Sequence, residues 1–312
     1  MRAVRFLPLL VLAGCAATTD VTDLSRSSAA PAPERWSPDP RNESGTPSLL
    51  ASAGRRANVQ EGDSTQQVDD ADLAQELSNP LADLMTIPIQ ANYDHDIGAT
   101  DDGWKWQTNV QPVVPFQLGE DWNLITRTIV PVISQDDIYP GEGSQFGLGD
   151  INMTLFASPR EPTASGVIWS VGPVLLFPTA TDDLLGAEKW GAGPAAVALT
   201  VRGPWTMGVL ANHLWSFAGE SDRQDISNTF VQPFVAYTWP SAWTASVQSE
   251  TNYNWETRQW AVPVNLSLSK LVFLGKLPVS LQAGAGYWLD SPDNGPEGYR
   301  LRLQANLVLP KP

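Results

Sequence analysis

From about residue 82 onward, apolar and polar side chains alternate with a period of two. In the final segment Tyr299, Leu301, Leu303, Ala305, Leu307 and Leu309 alternate with Arg300, Arg302, Gln304 and Asn306. Val262, Val264, Leu266 and Leu268 alternate with Pro263, Asn265, Ser267 and Ser269. Trp104, Trp106 and Val110 likewise oppose Lys105, Gln107 and Asn109. Successive side chains of a strand leave opposite faces, so each segment has one apolar and one polar side. Twelve such strands are predicted, at about 84–94, 104–117, 122–134, 148–158, 166–178, 190–201, 204–217, 227–239, 243–255, 260–273, 277–289 and 298–309. Two of them, 204–217 and 227–239, are apolar on both faces. No stretch reaches the roughly 18 apolar residues of a membrane helix.

Short connections alternate with long ones. Gly119-Glu120-Asp121, Arg202-Gly203, Pro240-Ser241-Ala242 and Leu274-Gly275-Lys276 are tight; 95–103, 135–147, 179–189, 218–227 and 290–297 are long. The links at 158–165 and 256–259 blur the pattern. Transmembrane barrels have short periplasmic turns and long external loops. Twelve of the 13 Trp lie beyond residue 82, many at segment ends, including Trp122, Trp205, Trp243, Trp255 and Trp288. Indole rings favour the bilayer–water boundary, where the ring is shielded and the N–H stays wet. The fold class expected is all-β: an antiparallel up-and-down transmembrane β-barrel of about 12 strands. An even strand number puts both ends on one side, the periplasmic one. Prolines inside the strands stand against this fold, because a closed barrel has no edge at which to hide a missing donor. The chain also ends without the terminal aromatic common in such barrels.

The N-terminus reads as an address. Met1 to Arg5 is cationic, Phe6 to Leu12 is apolar, and small residues follow, which is the pattern of a secretion signal. Leu12-Ala13-Gly14-Cys15 resembles a bacterial lipobox, which implies lipidation of Cys15 and, with Ala16 next, outer-membrane sorting; the alternative is plain cleavage after Ala17. The expected organisation is residues 1–15 signal peptide with lipobox, 16–78 disordered linker with a short helix near 71–77, and 79–312 barrel. The linker reading rests on Ser, Pro, Ala and Asp without apolar period. The helix should stop before Asn79-Pro80, because a residue preceding proline avoids the helical region.

Composition narrows the function. Lys plus Arg total 19 against 34 Asp plus Glu, a net charge of −15. Nucleic acid requires cationic surface, so no nucleic-acid partner is expected. One cysteine and two histidines leave no basis for a cysteine- or histidine-rich metal site. No cofactor, no metal and no catalytic residues are expected. Gly147-Leu148-Gly149 is a turn signal without the context of a phosphate loop, and there is no nucleophile elbow.

From Asn79 to Leu309 the chain resembles a bacterial family of barrel-like proteins known as meta-pathway phenol-degradation proteins, as transporters or, misleadingly, as neuromedin U. The matching stretches include Asn79-Pro80-Leu81-Ala82-Asp83-Leu84, Gln111-Pro112-Val113-Val114-Pro115, Gly147-Leu148-Gly149-Asp150, the run from Pro178 to Gly186, Lys189-Trp190-Gly191-Ala192-Gly193-Pro194 and Ala211-Asn212-His213-Leu214-Trp215. The resemblance implies an outer-membrane barrel that transports small solutes, aromatic ones among them. It supplies no catalytic residues, and the lipobox departs from the plain signal peptides of such barrels.

If the apolar faces touch lipid, alternation places Asp94, Lys105, Arg127, Glu250, Arg300 and Arg302 in the lumen. They read either as a solute-contacting constriction of mixed charge or as an ion-pair network that plugs a narrow barrel. Asp182 and Asp183 with Lys189 are candidates for a loop latch. The remaining loop carboxylates are ordinary solvated charge or a ring attracting cations. The leading expectation is a passive channel for small solutes in the Gram-negative outer membrane, with a periplasmic N-terminus. Its partners would be outer-membrane lipid, the solute and the barrel-assembly machinery. The alternatives are a plugged structural or binding barrel, and a membrane-embedded lipase- or esterase-like enzyme relying on His213.

Overall fold

The computed structural model describes residues 61–310. The expectations for the leader, for Cys15 and for most of the linker fall outside the described residues. A helix, α1 (Glu61–Glu76), precedes the strands; it starts ten residues earlier than residue 71, where the sequence pattern placed it. Residues 77–84 then lead into the first strand.

The strands are β1 (Met85–Ile97), β2 (Gly103–Val110 continued by Val113–Leu118), β3 (Trp122–Asp136), β4 (Gln145–Leu148 continued by Ile151–Pro159), β5 (Val167–Phe177) and β6 (Lys189–Arg202). They continue as β7 (Trp205–Gly219), β8 (Ser227–Thr238), β9 (Trp243–Ser249 continued by Thr251–Asn254), β10 (Gln259–Leu274), β11 (Leu277–Asp290) and β12 (Tyr299–Leu309). Each pairs antiparallel with its neighbours in sequence, and β1 pairs with β12, so the sheet closes on itself. The fold is the expected up-and-down β-barrel of twelve strands. Closure removes every edge, which an all-β chain must otherwise protect.

The solvent preference of the two faces is inverted relative to a soluble protein. On β12, Leu301 and Leu303 are 58% and 54% exposed, whereas Arg302 between them is 0% exposed. The same holds on β1, where Gln90, Asn92 and Asp94 are buried and Ile89 faces out. Register enforces this arrangement. A one-residue slip of β12 would carry Arg300 and Arg302 to the outer face, at about 2–4 kcal/mol each near the middle of a bilayer.

Aromatic rings collect at both ends of the outer surface. At the short-turn rim Trp122 stacks edge-on against Trp169, and Tyr237 lies between Trp205 and Trp239. At the long-loop rim Tyr253 touches both Trp255 and Trp260, Phe177 meets Trp190, and Tyr93 meets Trp104 and Trp106. Trp288 departs from the girdle expected for it. It faces inward, as its even position on β11 requires, and its Nε1 donates to Asp94 at 2.9 Å.

The prolines are accommodated by local breaks in the ladder. β2 is interrupted at Gln111-Pro112, with the Gln111 N–H donating to the Pro88 carbonyl at 2.8 Å. β4 is interrupted beside Pro131, whose carbonyl accepts from Gly149 N at 2.9 Å. β9 is interrupted at Glu250, and β10 shifts register at Val262/Pro263 opposite it. There the Ser249 hydroxyl donates to the Pro263 carbonyl at 2.8 Å. Pro173 of β5 stands opposite Pro194 of β6, so these two prolines meet at one rung. The glycines beside them admit a very close approach. A Cβ on Gly172 or Gly193 would fall 1.7 Å from the carbonyl oxygen of Leu155 or His213, respectively.

Candidate functional site

The barrel interior is divided lengthwise. From β3 to β8 it carries an apolar cluster, in which Ile125, Phe156, Val174, Val197, Leu199, Leu210 and Leu214 are buried and Phe230 and Phe234 join them, with Arg127, Asn212 and Gln232 among the polar groups of the same strands. From β9 round to β2 it is polar, with Asn265, Ser267, Arg300, Arg302, Asn306, Gln90, Asn92 and Asp94 buried. A cavity of about 640 Å³ lies between the halves and is lined from both, by Leu210, Leu214, Phe230 and Phe234 on one side and Gln107, Asn109, Gln282 and Arg300 on the other. The sequence carries the signal for the apolar half in the two strands that are greasy on both faces, β7 and β8. One face is exposed on the outside of the cylinder and the other contributes to this wall.

All six charged residues placed in the lumen by alternation belong to one electrostatic cluster. Arg300 Nη2 lies 2.8 Å from Asp94 Oδ2, and its guanidinium sits 4.8 Å from the centre of the Trp288 ring. Glu250 is the hub. Its Oε2 accepts from Arg302 Nη2 at 2.6 Å and lies 3.6 Å from Arg300 Nη1. Arg302 Nε also donates to Asn92 Oδ1 at 2.7 Å. Arg127 stands on β3, opposite β9 in the ring, within electrostatic reach of Glu250; its Nη2 donates to Gln111 Oε1 at 2.7 Å. Lys105 faces Asp94 across the β1–β2 rung and feels its charge. Glu250 reaches this hub because β9 breaks there, and the extended hydrogen-bond line Gln232–Gln248–Glu250 holds it in place.

The long-loop rim is tied together by other residues than the sequence suggested. Lys189 turns away from Asp182 and Asp183 and pairs with Asp225, Nζ to Oδ1, at 3.1 Å. Asp182 instead caps its own turn by accepting from Leu184 N at 2.9 Å. Asp183 offers its backbone carbonyl to Arg223 at 2.6 Å. Arg223 is the residue that fastens the 178–188 loop to the 220–226 loop, for it also bonds the Gly186 carbonyl and pairs with Glu188 at 3.0 Å. Asp150 completes the arrangement by accepting backbone N–H groups from Thr179, Ala180 and Ala187. A lone arginine in a polar loop gives no periodic signal, and so sequence reasoning missed it.

At the opposite rim, α1 and the segment after it close on the short turns. Ala74 packs with Ala242 and Leu271, and Gln75 Nε2 donates to the Gly203 carbonyl at 2.6 Å. Leu81 is buried in the apolar cluster of the lumen. Asn79 fixes the turn by accepting from Leu81 N at 2.9 Å.

His213 lies on the outward face of β7, in line with Val209 and Trp215. Its Nδ1 shares a hydrogen bond of 2.7 Å with the Thr229 hydroxyl, and its ring packs 4.0 Å from that of Trp215. Among the described residues no carboxylate and no serine is bonded to this imidazole; the hydroxyl it meets is that of Thr229, which also accepts from Trp255 Nε1 at 2.8 Å.

No family model matches this chain, and no curated protein matches it either. Solved structures do match. An outer membrane channel from Pseudomonas putida F1 superposes with a TM-score of 0.57 at 17% identity, covering 72% of this chain and 96% of its own. The NanC porin follows at 0.45 and 9% identity, over 72% and 99% of the two chains. Outer membrane phospholipase A from Escherichia coli gives 0.43 at 14% identity, over 78% and 98%. At such identities the likeness is one of fold.

Proposed function

We propose that this protein is an outer-membrane barrel through which small solutes, aromatic ones among them, pass passively. The observation that carries the reading is the cavity between a polar and an apolar wall, enclosed by a cylinder whose outside is greasy and ringed by aromatics. A solute crossing it exchanges water for hydrogen-bonding groups on one side and apolar contact on the other. The fold shared with an outer membrane channel and the resemblance to the phenol-degradation family point the same way. The N-terminus is assigned to the periplasm on the grounds that β1 begins, and β12 ends, at the rim with the short turns. Outer-membrane lipid and the barrel-assembly machinery are its partners on the same reading, and Cys15 is its lipid anchor.

Purified, refolded protein in a planar bilayer should give discrete openings. Their complete absence, with heat-modifiable gel migration showing a folded barrel, would reject conduction. That outcome would favour a closed binding barrel, a reading supported by Leu81 and α1 at the short-turn mouth. The lipase-like alternative has only the outward His213 in its favour. Ester turnover that survives His213→Ala would exclude a histidine-based enzyme, and no turnover by the folded parent protein would eliminate the alternative.

A further inference from the structure

The charged cluster in the lumen does not balance. Four cations, Lys105, Arg127, Arg300 and Arg302, face two carboxylates, Asp94 and Glu250. Among the described residues neither Lys105 nor Arg127 has an ion-pair partner within 4 Å. Arg300 Nε and Arg302 Nη1 are buried N–H donors with no acceptor. Arg300 is only 7% exposed and Arg302 0%, so bulk water screens neither well. Arg300 and Arg302 are compensated by Asp94 and Glu250, whereas Lys105 and Arg127, half-buried, have no carboxylate of their own, so a further anion beside them would be stabilised. Arg127 and Arg300 both border the cavity, and so do Phe230 and Phe234 on the facing wall.

We infer that the cavity is a binding site for an organic monoanion with an apolar body. The carboxylate meets the Arg127 and Arg300 guanidiniums, whose planar donor sets suit it, and the body lies against Phe230, Phe234 and Leu210. This deepens the channel reading and rests on it for its transport meaning only, since binding can be measured without conduction. Two more carboxylates border the cavity, Glu76 from α1 at the short-turn end and Asp150 at the long-loop end, where Asp150 is taken up by three backbone N–H groups; the cationic excess is local to the stretch around Arg127 and Arg300, and the overall charge of −15 lies mostly in loops screened by salt.

Three probes of one shape separate the contributions: benzoate, benzamide and benzylammonium, with acetate as the anion lacking a body. Calorimetric titration into the folded, detergent-solubilised full chain should show benzoate at least about tenfold tighter than benzamide and than acetate, with benzylammonium weakest. Arg127→Gln should lower benzoate affinity about tenfold, and Arg127→Lys, which keeps the charge but not the planar donor set, should fall between that and the parent protein. If Arg127→Gln fails to fold, Phe230→Ser provides the second reading: benzoate weakens towards acetate, which itself is unaffected. Equal binding of benzoate and benzamide, a preference for benzylammonium, or no binding of any probe would overturn the inference. Benzoate binding without bilayer openings would remove the channel and keep the site. Openings without a preference for benzoate would do the reverse.

Discussion

Arg302 is fully enclosed, and Glu250 is the acid that compensates it at 2.6 Å. Removing one partner of a buried pair strands the other charge. Glu250→Ala is therefore expected to destabilise the barrel by about 3–5 kcal/mol, read from urea unfolding in detergent. Removing both partners, as in a Glu250→Ala/Arg302→Met double variant, should be less damaging than the single change, because no orphaned charge remains. Gly193 is a second sensitive position for a different reason. A Cβ there would meet the His213 carbonyl at 1.7 Å, and a backbone oxygen within a ladder cannot step aside. Gly193→Ala is expected to lower stability by on the order of 2–4 kcal/mol in the same assay, whereas Gly119→Ala, which meets nothing within 4 Å, is limited to its positive φ of 75°.

At the level of elements, all twelve strands were legible, ten from an apolar outside and a polar inside that impose a period of two, and β7 and β8 as apolar runs bounded by turns. Trp288 was misread as a girdle residue, although its even position on β11 already turns it inward, beside Asp94. The apolar half of the interior was legible only in β7 and β8, and even there a strand greasy on both faces looks the same whether its inner face packs or lines a pore. The role of residues 74–84 was not legible, for their apolar positions are too few to establish a period. Leu81 is nevertheless buried in the lumen cluster, and α1 is held by Gln75 and Ala74. Leu81→Asp should release this segment from the short-turn mouth. The expected result is larger single-channel conductance than the parent protein, with an unchanged folded fraction on gels. A conductance equal to the parent's would show that the segment does not obstruct the path.

For the whole molecule, the long-loop rim depends on pH and the lumen on closure. The Lys189 ammonium and the Ser216 hydroxyl bond the Asp225 carboxylate and hold it below its ordinary range. A depressed folded value means that this tie is complete above the unfolded carboxylate range and is lost as pH falls through the lowered value. Proteolysis of the 220–226 loop should therefore accelerate on acidification, and more weakly on adding salt, since Asp225 itself is exposed. Asp225→Asn should flatten that acid response.

The β1–β12 junction has one more implication. Nine rungs from Met85↔Leu309 to Tyr93↔Leu301 join the chain's first strand to its last, and the cluster straddles them, with Asn92 and Asp94 on one lip and Arg300 and Arg302 on the other. Until the two lips meet, the Arg300–Asp94 and Arg302–Asn92 bonds cannot form. Ring closure is thus rewarded by charge neutralisation at the very place where strand order alone leaves the cylinder open. The same bonding makes this line the worst doorway for a molecule slipping sideways into the bilayer.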